Sequence, residues 1–115
     1  MVTQWMETRA TPESSLDRIR ELAAQQAVEY GSSRVQMHTD NLGYTFEAVC
    51  ECLEHLRPDH FRRSVRYSPS GPWLDEYLMT HRGPTAQDDA LYIKLKLDRD
   101  CVWVIVCSFH LEGAL

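Results

Sequence analysis

Among the side chains in the last quarter of the chain that could move protons or hold a phosphate are Tyr92, Lys94 and His110. His110 ends the run "C101-V-W-V-I-V-C-S-F-H110", which is apolar and β-branched until its final letter. Such a run belongs inside a sheet. Its terminal histidine therefore either caps a strand in solvent or does chemistry at the sheet's edge. Histidine is the residue type that exchanges a proton most readily near neutral pH, which suits acid or base work. A second cluster precedes it. Arg57, Arg62, Arg63 and Arg66 fall within ten residues, directly after the acidic Glu47, Glu51 and Glu54. Guanidinium groups grip phosphate oxygens and stay charged. The net charge of −5 argues against holding long nucleic acid by counterion release alone, yet a chain this uneven can hide a basic groove.

A hairpin is what must position the histidine. "A90-L-Y-I-K-L-K-L97" alternates cleanly, with Leu91, Ile93, Leu95 and Leu97 on one face and Tyr92, Lys94 and Lys96 on the other. If "D98-R-D100" is a three-residue turn, Leu97 pairs with Cys101, Tyr92 with Val106 and Lys94 with Val104. Paired residues share a face, so Tyr92, Lys94 and His110 leave the sheet on the side opposite Leu91 and Ile93. A two-residue turn would reverse this. Even in the favoured register, a solvated face with lysines guarding an edge accounts for the same pattern.

The elements around the hairpin are helices first and strands after. "S14-S-L-D-R-I-R-E-L-A-A-Q-Q" predicts a helix with Ser14 and Asp17 as a capping box and Leu16, Ile19, Leu22 and Ala23 as its buried stripe. A short helix should follow over 32–43, ending at Gly43. "T45-F-E-A-V-C-E-C-L-E-H-L56" carries the strongest helical signal: Thr45 is the N-cap, and Phe46, Val49, Cys50, Leu53 and Leu56 are apolar at helical spacing. Pro58 stops it. Strands are expected over 61–67, 73–79, 90–97 and 101–110, with "T80-H-R-G-P-T-A-Q-D-D89" as a loop. The expected fold is α+β, with N-terminal helices packed on one face of a C-terminal antiparallel sheet. At 115 residues this is one domain, with the first seven residues expected to be mobile.

No apolar stretch reaches the roughly 20 residues of a membrane span, and "MVTQWMETRATP" lacks a signal peptide's apolar centre, so a cytoplasmic protein is expected. The four cysteines show no CxxC or CxxH spacing. Cys50 and Cys52 diverge on a helix, and Cys101 and Cys107 would lie about 20 Å apart along one strand. Reduced structural thiols, with no metal and no cofactor, are the expectation.

In order along the chain, "M6-E-T-R-A-T-P12", "L42-G", the helix to Leu56, "D59-H-F-R-R-S-V65", "W73-L-D-E-Y77", "L91-Y-I-K-L95" and "V106-C-S-F-H110" resemble the MqsR family. These are bacterial toxins that cleave messenger RNA without the ribosome, on a fold like that of the RelE-type ribonucleases. The resemblance implies four site positions. The family's strand lysine falls on Arg63, its glutamine on Leu74, its strand tyrosine on Tyr92 and its last lysine on His110. Tyr92 is kept, Arg63 and His110 are cationic or titratable replacements, and Leu74 reads as a packed aliphatic.

Metal-free RNA cleavage by the 2′-hydroxyl needs a base, a cation beside the phosphorane and an acid for the leaving 5′-oxygen. The resemblance thus gives Arg63 the phosphate, His110 the proton, and Tyr92 an orienting or assisting role. Arg62, Arg66, Lys94 and Lys96 would hold the RNA backbone. The implied partners are messenger RNA and an antitoxin with a DNA-binding domain. Two other readings stay open. One is a catalytically degenerate protein on the same scaffold that acts by binding a protein or RNA. The other is a non-cleaving RNA-binding module with Trp73, Tyr77 and Tyr67 as stacking platforms.

Overall fold

The computed structural model describes residues 4–113. Residues 1–3, part of the segment expected to be mobile, lie outside the described residues, and Glu7 begins a strand, β1 (Glu7–Arg9). Helix α1 (Leu16–Ala24) starts at Ser15 rather than at Ser14, because the Ser15 side chain accepts the Arg18 backbone N–H. It buries Ile19, Leu22 and Ala23. After Gln26, in the left-handed region at φ 59°, comes a short strand that periodicity did not reveal, β2 (Val28–Tyr30). Helix α2 (Ser33–Asn41) is capped by Ser32 and followed by Gly43 at φ +79°. Helix α3 (Phe46–Glu54) is capped by Thr45, as its sequence predicts. A 3-10 turn over Pro58–His60 leads into β3 (Phe61–Arg66).

The next strand, β4 (Leu74–Arg82), runs three residues beyond the expected span, and β5 (Asp88–Leu97) starts two residues early. The predicted ten-residue loop thus shrinks to 83–87. Gly83 is required there, because an added Cβ would lie 2.2 Å from Asp89 Oδ2, the oxygen to which the Tyr44 hydroxyl donates. The last strand, β6 (Val104–Leu111), completes a six-stranded sheet of order β1-β3-β4-β5-β6-β2. All neighbours are antiparallel except β2, which runs parallel to β6. The class is α+β as expected, with the three helices preceding the four long strands. Tyr77, Met79, Leu91, Ile93, Leu95, Val104, Val106 and Phe109 from the sheet join Ile19 and Leu22 from α1, Val49 and Leu53 from α3, and Leu56 just after it, in one core.

The β5–β6 register differs from expectation in a way that matters for the site. The turn spans residues 98–103, because Asp98 Oδ1 accepts the N–H groups of Val102 and Trp103 and Cys101 sits at φ 56°. Cys101 is therefore in the turn and outside the strand. Leu97 pairs with Val104, and Tyr92 pairs with His110 instead of Val106. A register shift between Lys94 and Leu95 then reconciles the two halves of β6. Val104 and Val106 enter the core, and so does Phe109, which an unbroken alternation would turn outward. The expected face for His110 is reached, by a different route.

Candidate active site

On the sheet face turned away from the core cluster, β3, β4, β5 and β6 each contribute one side chain to a contiguous chain of contacts. In backbone pairing, Arg63 faces Glu76, Glu76 faces Lys94, and Tyr92 faces His110. Glu76 and Tyr92 are thus diagonal neighbours, close enough for long side chains to meet. Arg63 Nε donates to Glu76 Oε1 at 2.6 Å, and the Tyr92 hydroxyl donates to Glu76 Oε2. The Tyr92 ring stacks on the His110 ring, with centroids 5.0 Å apart and planes 16° apart. The three site residues read from the sequence therefore meet on one face, joined by a carboxylate that the sequence reading did not single out.

Glu76 is 2% exposed. A carboxylate this buried needs hydrogen-bonding partners, and it has two: a guanidinium and a phenol. Each partner responds. Arg63 is held protonated more firmly by its bond to Glu76. Burial first, then the Glu76 bond, pushes the Tyr92 phenol above its ordinary range, so it acts as a hydrogen-bond donor and not as a base. Arg63 remains about a third exposed, and with Nε committed to Glu76 its terminal nitrogens are available to an anion.

His110 is half-buried, and its Nδ1 lies 2.8 Å from the Leu111 carbonyl oxygen. A carbonyl only accepts, so Nδ1 carries the hydrogen and Nε2 is left for proton exchange. A second imidazole stands beside it. His38 of α2 is perpendicular to His110 at 6.0 Å between centroids. Neither Glu76 nor His38 had a sequence signal of its own. Glu76 is one of two adjacent acids in β4, and His38 is one polar residue on a weakly patterned helix.

The residues read as backbone holders divide. Lys94 points along the face toward Tyr67, donating to its hydroxyl at 3.0 Å. Lys96 is half-buried opposite Ile105. Arg62 is exposed at the irregularity between Phe61 and Arg63. Arg66 is engaged elsewhere: it pairs with Glu7, donates to the Pro69 carbonyl and lies 4.7 Å over the Trp73 ring. Leu74 is half-buried opposite the fully buried Val65, as a packed aliphatic would be. Of the three stacking candidates, Tyr77 is in the core, Trp73 lies under Arg9 and Arg66, and Tyr67 is exposed with the Lys94 ammonium 4.9 Å over its ring.

Among the described residues no group of three or more His, Cys, Asp or Glu side chains is placed to hold a metal ion. The four cysteines are free thiols. No helix among the described residues is long and apolar enough to cross a membrane. The family model described as "Motility quorum-sensing regulator, toxin of MqsA" matches residues 11–111. No curated protein matches the chain.

Proposed function

Because the chain belongs to the MqsR toxin family, and is therefore a toxin of a toxin–antitoxin system, we propose that it acts as a metal-independent endoribonuclease on messenger RNA. The observation that carries this reading is the unbroken contact series Arg63–Glu76–Tyr92–His110 on one open sheet face. In the proposed reaction the RNA 2′-oxygen attacks phosphorus and the bond from phosphorus to the 5′-oxygen breaks. His110 Nε2 takes the 2′-hydroxyl proton. Arg63 faces the charge that grows on the non-bridging oxygens. Tyr92 holds the Glu76 carboxylate and the His110 ring in register. The departing 5′-oxygen gains its proton from a second acid, and His38 is the neighbouring imidazole for that step. The products are a 2′,3′-cyclic phosphate and a 5′-hydroxyl.

The family's description names an antitoxin, MqsA, as the partner, so this chain has an antitoxin partner. A DNA-binding domain on that antitoxin belongs to the proposal. A second reading has a specific observation behind it. Glu76 neutralises Arg63, and Leu74 stands where the family has a glutamine, which would suit a scaffold that binds its partner without cutting RNA. One experiment separates the two. Purified protein is incubated with a defined single-stranded RNA in EDTA. Fragments ending in 2′,3′-cyclic phosphate are expected, and intact RNA would leave only the partner-binding reading.

A further inference from the structure

Part of the basic segment around Pro58 takes no part in the row just described. Arg57 just before the 3-10 turn, His60 at its end, His55 at the end of α3, and His81 and Arg82 at the end of β4 line a cleft of about 370 Å³. The His55 and His81 rings are 5.6 Å apart. His60 Nδ1 accepts the Arg57 backbone N–H at 3.0 Å, so its Nε2 carries the hydrogen and is a donor. Five side chains that donate hydrogen bonds, each cationic or able to become so, thus converge on one concavity.

We propose that this cleft is a second phosphate subsite, which grips the backbone of single-stranded RNA on one side of the scissile bond. The inference rests on the ribonuclease reading. An adjoining cleft of about 380 Å³ shares Arg57 and His60 and continues past Thr80 to Leu78, the residue paired with Tyr92. Leu78 shares the face of Tyr92 and His81 turns to the helix side. The backbone would therefore cross the edge of β4 beyond Tyr77, where β4 runs past the end of its pairing with β3. Leu78 and His81 lie about 10 Å apart along that edge, a span that a short oligonucleotide covers.

The ion pairs at this cleft are ones a phosphate can displace. Arg57–Asp59 at 3.2 Å and Arg82–Asp88 at 3.8 Å are both solvent-exposed, and such pairs contribute little. Burial and the neighbouring His55 both disfavour a charge on His81, while Glu51 and Asp89 oppose them; an incoming anion would relieve that penalty. Glu112 in the adjoining cleft is the acid that sets a limit on how far the strand can run that way. The lining is rich in hydrogen-bond donors and carries two guanidinium groups, with Met79 as its one apolar side chain, which fits a phosphodiester better than an apolar anchor of a protein partner.

The test uses the full chain and a labelled 2′-deoxy oligonucleotide, which cannot be cut through a 2′-hydroxyl. Arg57→Gln/Arg82→Gln removes two exposed charges without touching the Arg63–His110 row. For a twelve-nucleotide probe the Kd should rise about tenfold. Its salt dependence should flatten by about 1.4 in log–log slope, about 0.7 for each lost contact. A dinucleotide probe should bind the variant and the parent alike, and on RNA the KM should rise while kcat holds. Equal affinity of variant and parent for the longer probe overturns the inference, as does an equal loss for both probes. Loss of a co-purified antitoxin with unchanged oligonucleotide affinity also overturns it and assigns the cleft to the protein partner. If the parent cuts no RNA while the variant still loses the longer probe, the nuclease reading fails and the subsite stands.

Discussion

The two faces of one sheet do different work with alternate residues of the same strands. In β5, Leu91, Ile93 and Leu95 are fully buried under the helices, while Tyr92 and Lys94 between them are half-exposed on the other side. In β4, Tyr77 and Met79 join the core and Glu76 turns away from it. The core face is apolar and is held by area removed from water. The open face is polar and is held by the pairing of one buried carboxylate. A strand's period of two therefore separates the apolar packing from the proposed chemistry, and substitutions on the two faces should fail in different ways.

The sharpest contrast is His110→Ala against its neighbour across the pleat. Loss of the imidazole should lower the RNA cleavage rate by about 10²–10⁴-fold, the usual worth of a positioned acid or base. Its half-buried ring holds no core contact in place, so the thermal midpoint should stay near that of the parent. An unchanged rate would remove His110 from the mechanism. Ile93→Ala, on the covered face, should do the reverse. It should cost about 2–5 kcal/mol of stability in urea unfolding, while the rate per folded molecule is retained. A large loss of rate from Ile93→Ala at full occupancy of the fold would mean that the faces are not independent.

Glu76→Gln probes the one residue that belongs to both categories, buried like the core and paired like the site. The amide keeps the volume but cannot hold Arg63 as a charged partner or accept from Tyr92 with full strength. Cleavage should fall by about 10- to 100-fold through misplacement of Arg63 and His110. If the partner-binding reading is correct instead, this variant leaves RNA untouched and shifts only antitoxin affinity.

The same alternation explains what could be read from the chain. Leu91, Ile93 and Leu95 against Tyr92 and Lys94 announce a two-faced strand, and Thr45 with the stripe to Leu56 announces α3. Strands of three residues such as β1 and β2 are shorter than any period can register. The hairpin register departs from the expected one because Asp98 closes a longer turn with its side chain, and because the shift after Lys94 is invisible as a pattern. His110 nonetheless reaches the expected face, since turn length and register shift change parity together. Glu76 is hidden in the sequence for a different reason. In "W73-L-D-E-Y77" Asp75 and Glu76 look equivalent, yet Asp75 accepts the backbone N–H groups of Glu13 and Ser14 on one side while Glu76 gathers Arg63 and Tyr92 on the other. Only a facing residue on β3 and a diagonal one on β5 distinguish them.

The smallest effect tests how dry the covered face is. Cys52 of α3 lies in the core with its sulfur 3.6 Å from that of Met79, and burial, aided by Asp89 and Glu51, pushes its thiol from 9.0 up to about 12. The folded chain then keeps a proton that the unfolded chain loses first. Its contribution is complete below pH 9 and is lost as the pH rises from 9 toward 12. Cys50, raised to about 11, and Tyr77, raised from 10.0 to about 12, add to the same decline. Cys107 of β6 differs, because Lys96 and Lys94 counter its burial. Urea unfolding followed from pH 8 to pH 11 should therefore show Cys52→Ala less stable throughout but with a shallower fall, whereas Cys107→Ala should change the slope less. Parallel curves for Cys52→Ala and the parent would mean that water reaches the space between α3 and β4, and the division of labour between the two faces would lose its physical basis.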